Sequence, residues 1–324
     1  MCTAVSFLSK EHYLGRNFDL DISYGEKAVI TPRNYPFKMR KLQDLTEHYA
    51  LIGIAAIFDD VPLYYDAVNE YGLSMAGLNF EGNAVYLEEV PEKLNVTPFE
   101  FIPYILGQCK TVAEAKALLE KINLVNIPFS EQLPLSPLHW IVADKEQTLV
   151  VEPLASGLKL SDDPVGVLTN NPTFDKQLLT LSKYRGLSAK TPENTFAPAV
   201  DLPVYSRGMG TFGLPGDLTS SSRFARAVFT KAHSICEPTE MSSVSQCFHI
   251  LNSVEQVKGC CELEEGHFEH TIYSVCYNTA KGLLYYSTYD NRQLTALDLH
   301  KVDLDGSEPN VYPLLTEQNV HYQN

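Results

Sequence analysis

Apolar, β-prone residues on either side of the polar break Ser9-Lys10-Glu11 predict two short strands, at residues 3–8 and 12–18, folded back as a hairpin. Similar runs at 28–31, 49–56 and 72–78, separated by turn and proline signals, predict further antiparallel strands. Thr97-Pro98-Phe99-Glu100 and Thr111-Val112-Ala113-Glu114 both have the spacing of a capping box, and they open predicted helices at about 98–108 and 112–122. Strands return at 140–143, 148–152 and 165–169, which leaves Asn170 at a strand end. Residues 186–221 are rich in Pro, Gly, Ser and Thr and carry no period, as expected of a functional or interfacial segment. Helices at 222–234 and 242–253 and strands at 271–277, 283–289 and 294–299 complete the pattern. Runs of strands followed by runs of helices, without strict alternation, define an α+β chain with antiparallel sheets. No internal repeat breaks it, and residues 1–324 are expected to form a single domain.

Composition narrows the function. The chain of 324 residues is 44% hydrophobic and 20% charged, enough apolar material for a large core. Its net charge is −15 with no run of Lys or Arg, so nucleic acid is excluded as an expected partner. The start lacks a basic region followed by a long apolar stretch, and the longest apolar run, residues 50–58, is too short to cross a bilayer. A soluble, cytoplasmic protein with no membrane partner is expected. Its seven cysteines are odd in number and contain no C-x-x-C pair, which points to reduced thiols rather than disulfides or zinc. No metal or cofactor is expected.

The candidate chemistry lies at the beginning. Cys2 follows Met1 directly and is small enough for the methionine to be trimmed, leaving a thiol and a free α-amine on one residue. An α-amine titrates near ~8 and a thiol near ~8.5, so the amine can take the thiol proton as histidine does in a triad. The plain alternative is a small buried hydrophobe at the head of a strand. The hairpin favours the chemical reading, because it returns Arg16 and Asp19 to the chain start. There a guanidinium favours thiolate and a carboxylate can orient the amine.

Met1-Cys2-Thr3, Gly15-Arg16-Asn17-Phe18-Asp19, Met75-Ala76-Gly77-Leu78-Asn79-Phe80, Leu168-Thr169-Asn170-Asn171-Pro172, and Leu214-Pro215-Gly216-Asp217 with Ser222-Arg223-Phe224 together resemble the choloylglycine hydrolase family. The resemblance extends from Cys2 to residues 286–291. It implies an αββα sandwich of two antiparallel sheets between helix layers, the amino-terminal nucleophile hydrolase fold. It also implies hydrolysis of glycine- or taurine-conjugated bile acids through a Cys2 thioester, and assembly as a homotetramer. By resemblance Asn79 and Asn170 serve the oxyanion, and Arg16, Asp19 and Arg223 complete the catalytic set. Arg223 could equally be a surface residue near a helix start. Loops that the resemblance places around Cys2 carry Phe18, Phe58, Phe129 and Leu133, the expected apolar pocket, although each could be core. Arg207, in the loop before Leu214, is expected to meet the anionic end of the substrate.

Within the same family, penicillin V acylases tend to carry Tyr where this chain has Asn79. A carrier that had lost the chemistry would have no need of Cys2, Arg16, Asp19, Asn79, Asn170 and Arg223 together. Three other motifs are weaker. His267-Phe268-Glu269-His270 has an H-x-x-H spacing outside a helical context, Cys260-Cys261 reads as a packing pair, and Gly208-Met209-Gly210 is too short for a phosphate loop.

Overall fold

β-prone runs buried on both faces produce most of the architecture, described over residues 1–324 by a computed structural model. The opening hairpin is β1 (Cys2–Leu8) and β2 (His12–Leu20). It is followed by β3 (Lys27–Thr31), β4 (Leu51–Phe58), β5 (Val61–Asn69) and β6 (Ser74–Asn79). A small parallel pair, β7 (Leu94–Val96) and β8 (Ile122–Leu124), brackets α1 (Phe101–Leu106) and α2 (Val112–Leu119). Next come β9 (Leu138–Ala143), β10 (Thr148–Leu154), β11 (Gly157–Asp162), β12 (Val167–Leu168) and α3 (Phe174–Thr180). Helices α4 (Ser220–His233) and α5 (Glu240–Asn252) precede a short hairpin, β13 (Glu262–Glu264) and β14 (His267–Phe268). The last strands are β15 (His270–Asn278), β16 (Leu283–Thr288), β17 (Thr295–Asp298) and β18 (Asn310–Pro313).

Two antiparallel sheets stack face to face. One has six strands in the order β12-β1-β2-β15-β16-β17, the other eight in the order β11-β10-β9-β6-β5-β4-β3-β18. One apolar core fills the space between them and continues to α3, α4 and α5 through residues such as Phe174, Phe224 and Phe248. A second core joins the outer face of the eight-stranded sheet to α1 and α2 through Trp140, Phe101 and Ile105. The layers are therefore αββα. No helix is long and apolar enough to cross a membrane.

Most elements fall where the pattern predicts them, and the exceptions have physical causes. β5 has no counterpart among the predicted strands, because Pro62 and a buried Asp66 interrupt its apolar run. Pro62 stands near the hairpin end of that strand, and Asp66 faces a charge. α3 is also unexpected, since only Phe174 and Gln177 of it are buried and no apolar period results. α1 starts later than its capping box suggests. The Glu100 carboxylate accepts from the Thr97 and Arg40 amides, but the buried Thr97 hydroxyl has no partner. The second box is complete: Thr111 Oγ1 accepts from the Glu114 amide at 3.2 Å, and the Glu114 carboxylate accepts from the Lys110 amide at 2.7 Å. Residues 186–221 run as irregular chain, apart from a single helical turn at Met209–Thr211 and the first residues of α4.

Two β-bulges do more for the site than any helix. In β5, Asp66 pairs with Ile54 and Tyr64 with Ala55, leaving Tyr65 without a partner. The extra residue resets the alternation, so that Asp66 and Val68 point between the sheets while Tyr64 packs on the α1 side. Gly53 is required opposite, where a Cβ would stand 2.2 Å from the Asp66 carbonyl oxygen. In β15, Thr271 pairs with Asp19 and Tyr273 with Phe18, leaving Ile272 over. Thr271 consequently faces the helices and Tyr273 the sheet interior.

Candidate active site

The hairpin register pairs Cys2 with Phe18 and Ala4 with Arg16, while β12 flanks β1 through Ala4 and Leu168. β1 is thus an interior strand with Cys2 at its head. Cys2 is 3% exposed, and Asn170 follows the end of β12 beside it.

On the face between the sheets, the thiol meets Arg16. Arg16 Nη2 donates to Cys2 Sγ at 3.3 Å and to the Gly77 carbonyl at 2.7 Å, and Nη1 donates to Asp66 Oδ2 at 2.6 Å. Tyr273 donates to the same carboxylate at 2.6 Å, and Tyr277 donates to its other oxygen. The guanidinium also lies over the Phe18 ring, 4.7 Å from its centroid. Burial alone would lower the Arg16 guanidinium. Tyr273, the Cys2 sulfur and Asp66 outweigh that effect and hold it well above its ordinary value, so Arg16 is a fixed positive charge against the sulfur.

On the face toward the helices, the backbone of Cys2 is gripped. Its amide donates to Asn170 Oδ1 at 2.9 Å. Arg223, wholly buried on α4, donates through Nη1 to the Cys2 carbonyl and Thr3 Oγ1, both at 2.6 Å, and through Nη2 to Asn170 Oδ1 at 2.6 Å. The motif preceding Arg223 holds the start of its helix. Asp217 accepts from Thr219 and Ser222, which keep its carboxyl down at about 2, and Arg226 donates to the Pro215 carbonyl and across to the Ser253 carbonyl of α5. Asp19 accepts from Thr271 Oγ1 at 2.6 Å and lies 3.9 Å from Arg223. Burial pushes the Asp19 carboxyl up, against the pull of Arg223, the terminal amine and Thr271. Met1 continues the ladder by one residue: its carbonyl accepts from the Asp19 amide at 3.1 Å, and its amine donates to the Asp19 carbonyl at 3.0 Å and pairs with buried Glu269.

The six expected catalytic residues, Cys2, Arg16, Asp19, Asn79, Asn170 and Arg223, are brought together. Asn170 uses its amide oxygen on the Cys2 nitrogen and Arg223, and its Nδ2 donates to the Asn79 carbonyl at 2.7 Å. One N–H of its NH2 group is thereby used and the second is left over, while the half-buried Asn79 carboxamide donates to no other group of the chain. Thr169 and Gln177 fix this corner, Gln177 Nε2 donating to the Asn170 carbonyl.

The expected pocket residues divide. Phe18 is buried beside the site, its ring 5.1 Å from Tyr273 and 4.6 Å from Tyr65. Phe58 is half-buried at the end of β4 and Leu133 half-buried in the loop before β9. Phe129 packs edge-on against Phe99 under Arg40 and lines a cavity of about 280 Å³ with Pro62, Leu63 and Met39, a cavity that Cys2 does not line. Arg207 is exposed and has no ion-pair partner. Asp66, Tyr273, Tyr277 and Glu269 were not among the expected residues. A carboxylate inside a strand-like run was the one available signal, at Asp66.

An αββα sandwich with a cysteine gripped at the head of an interior strand is the layout of amino-terminal nucleophile amidases. The chain belongs to the choloylglycine hydrolase family of linear amide C–N hydrolases, which its residues 2–312 match. It is 56% identical over 324 residues to a bile salt hydrolase/transferase of Lactiplantibacillus plantarum, covering 100% of both chains. It is 35% identical to a bile salt hydrolase/transferase of Clostridium perfringens, again covering 100% of each. Among solved structures, a mutant conjugated bile acid hydrolase from Clostridium perfringens superposes with a TM-score of 0.93 at 36% identity, covering 100% of both chains. A penicillin V acylase from Agrobacterium tumefaciens shares the fold, with a TM-score of 0.77 at 19% identity over 97% of this chain and 92% of that one.

Proposed function

We propose that this protein hydrolyses the amide bond of glycine- or taurine-conjugated bile acids, using Cys2 as nucleophile once Met1 has been removed. The observation that carries this reading is the double grip on Cys2, with Arg16 on its sulfur and Asn170 on its nitrogen. It occurs in a chain more than half identical to a named bile salt hydrolase/transferase.

The thiol proton passes to the α-amine, and the sulfur, facing a fixed guanidinium, attacks the substrate carbonyl carbon. The carbonyl π electrons move to oxygen, and the Asn79 Nδ2 and the remaining Asn170 N–H are the donors that receive this oxyanion. Collapse of the intermediate breaks the C–N bond. The α-ammonium returns its proton to the leaving nitrogen, releasing glycine or taurine and leaving a Cys2 thioester. Water then gives a proton to the amine and attacks the thioester, and the departing sulfur recovers its proton as the bile acid leaves. Arg223 and Asp19 touch no reacting atom here and hold the Cys2 backbone and amine in place.

Seven free cysteines with no disulfide among them support a cytoplasmic setting. Residues 186–221 expose Phe196, Tyr205 and Phe212, each more than three-quarters accessible, and this supports a homotetramer in which a neighbouring subunit covers the segment. Light scattering of a version with the segment shortened should give a lower mass than the full chain, and an unchanged mass removes it from assembly. The function is tested by offering glycocholate, taurocholate and penicillin V side by side and measuring amine release. Turnover of penicillin V alone would overturn the bile acid reading, and intact mass reports whether Met1 has been removed.

A further inference from the structure

Glu269 stands just before β15 and is 3% exposed, yet it belongs to none of the contacts assigned above to the reaction. Its carboxylate pairs with the Met1 amine, and its own amide donates to the Cys261 carbonyl at 2.9 Å, so the segment between α5 and β13 holds it in place. We propose that Glu269 is a positioning residue for the Cys2 α-amine in the trimmed enzyme, holding that amine as the base and acid of the reaction. The inference rests on the amino-terminal mechanism just given.

Removing Met1 deletes the partner of the Asp19 amide and the cation facing Glu269 in one step. A buried carboxylate without a partner is costly, and besides Arg223 the cation left for it is the new ammonium on Cys2, one residue further along. Asn170 Oδ1 already occupies one direction around that nitrogen, 2.9 Å away. The two remaining protons point into the space the methionine leaves, which is bounded by the Asp19 amide and Glu269. One water in the place of the Met1 backbone suffices to join ammonium, Glu269 and the Asp19 amide.

The groups facing this nitrogen come from several elements. Asp19 lies on β2, Glu269 at the head of β15, Arg223 on α4 and Cys261 in the segment before β13, while Arg16 acts from the sulfur side. Two carboxylates thus oppose Arg223 and the amine, and the balance closes only when the amine is charged. Glu269 therefore strengthens the amine as a proton acceptor at the moment the thiol gives its proton up.

The test is the pH profile of kcat/KM on glycocholate for the purified full chain and for Glu269→Gln, with activities scaled to the trimmed fraction read by intact mass. The expected result is an acid limb about one pH unit lower, kcat reduced about tenfold and KM within about twofold. Glu269→Asp, which keeps the charge on a shorter arm, should restore most of kcat. An acid limb superimposable on that of the unsubstituted chain overturns the proposal. If Glu269→Gln does not fold, the same limb is read on Glu269→Ser, which also removes the charge; a midpoint displaced to lower pH supports the proposal and an unmoved one overturns it. Activity retained by Cys2→Ala would instead sink the amino-terminal mechanism, whatever Glu269 does.

Discussion

The two ends of the β1–β2 hairpin are built in opposite ways from the same pair of strands. At the far end, Ser6, His12, Thr148 and Thr279 form a neutral chain of hydrogen bonds. Thr148 Oγ1 donates to Ser6 Oγ at 3.0 Å, Ser6 Oγ meets His12 Nε2 at 2.9 Å, His12 Nδ1 meets Thr279 Oγ1 at 3.0 Å, and Thr279 donates back to the His12 carbonyl. Each hydroxyl and ring nitrogen has a partner, and burial holds the His12 imidazole down at about 4, with Asp144 and Lys231 acting more weakly. At the near end, Arg16, Asp19, Asp66, Arg223 and Glu269 are all buried charges, and Arg16 Nε and Asp19 Oδ2 have no hydrogen-bond partner. A satisfied neutral network serves the fold, whereas a concentration of charge with open valences serves chemistry and must be held by everything around it.

Breaking the near end should have the largest effects. Cys2→Ala should abolish amide hydrolysis with little change in stability, because an alanine heading a strand disturbs little and Arg16 keeps Asp66 and the Gly77 carbonyl. Retention of even about a tenth of the activity would rule out the mechanism, and Cys2→Ser should be nearly as inactive, its hydroxyl being a far weaker acid. Asp66→Ala should cost both function and fold. It strands the Arg16 charge and two tyrosine hydroxyls, at a destabilisation of about 3–5 kcal/mol. Urea unfolding measures that loss, and an unmoved midpoint would show that Arg16 needs no partner.

The far end should respond only to acid. An imidazole held down in the folded chain lets the unfolded chain bind the extra proton, so its contribution is complete above the unfolded value. It is lost as pH falls through about 4. The slope reaches at most roughly 1.4 kcal/mol per pH unit. His12→Gln should flatten that dependence while leaving turnover near neutrality unaltered. Equal acid slopes for the two chains would place the titration elsewhere. The smallest expected effect belongs to Arg207, outside both ends. Arg207→Ala should alter the ratio of taurocholate to glycocholate turnover by a few-fold at most, and the change should weaken with salt, as for an exposed charge. Equal changes on both substrates would remove Arg207 from specificity.

This contrast also explains what the chain discloses before it is folded. Cys2, Arg16 and Asp19 are legible because one tight hairpin places them, and local pattern captures hairpins. Asp66, Tyr273, Thr271 and Glu269 are not, because their directions depend on the bulges at Tyr65 and Ile272, which overturn the two-residue period that such a reading relies on. The opposite roles of Thr271 and Tyr273, two residues apart yet on opposite faces, follow from Ile272 alone. Asn79 and Asn170 are located by motif, but the hold of the Asn170 amide oxygen on the Cys2 nitrogen and Arg223 emerges only from the geometry. Phe129 illustrates the remaining limit, since an aromatic in a loop carries no mark of the neighbours it will meet, here Phe99 and Arg40.

The pairing of β2 with β15 joins residues some 250 positions apart, and this gives the site a timetable. At roughly 5–20 residues per second, the chain carries its thiol for on the order of ten to fifty seconds before Glu269, Thr271 and Tyr273 are even synthesised. During that interval the contacts that hold Met1 to Glu269 do not yet exist. Once β15 docks, the methionine amine is drawn in against Glu269 and the Asp19 carbonyl. Trimming after that point has to break those contacts first, so slow trimming or fast folding would delay the appearance of activity, and the strand that completes the sheet also slows activation.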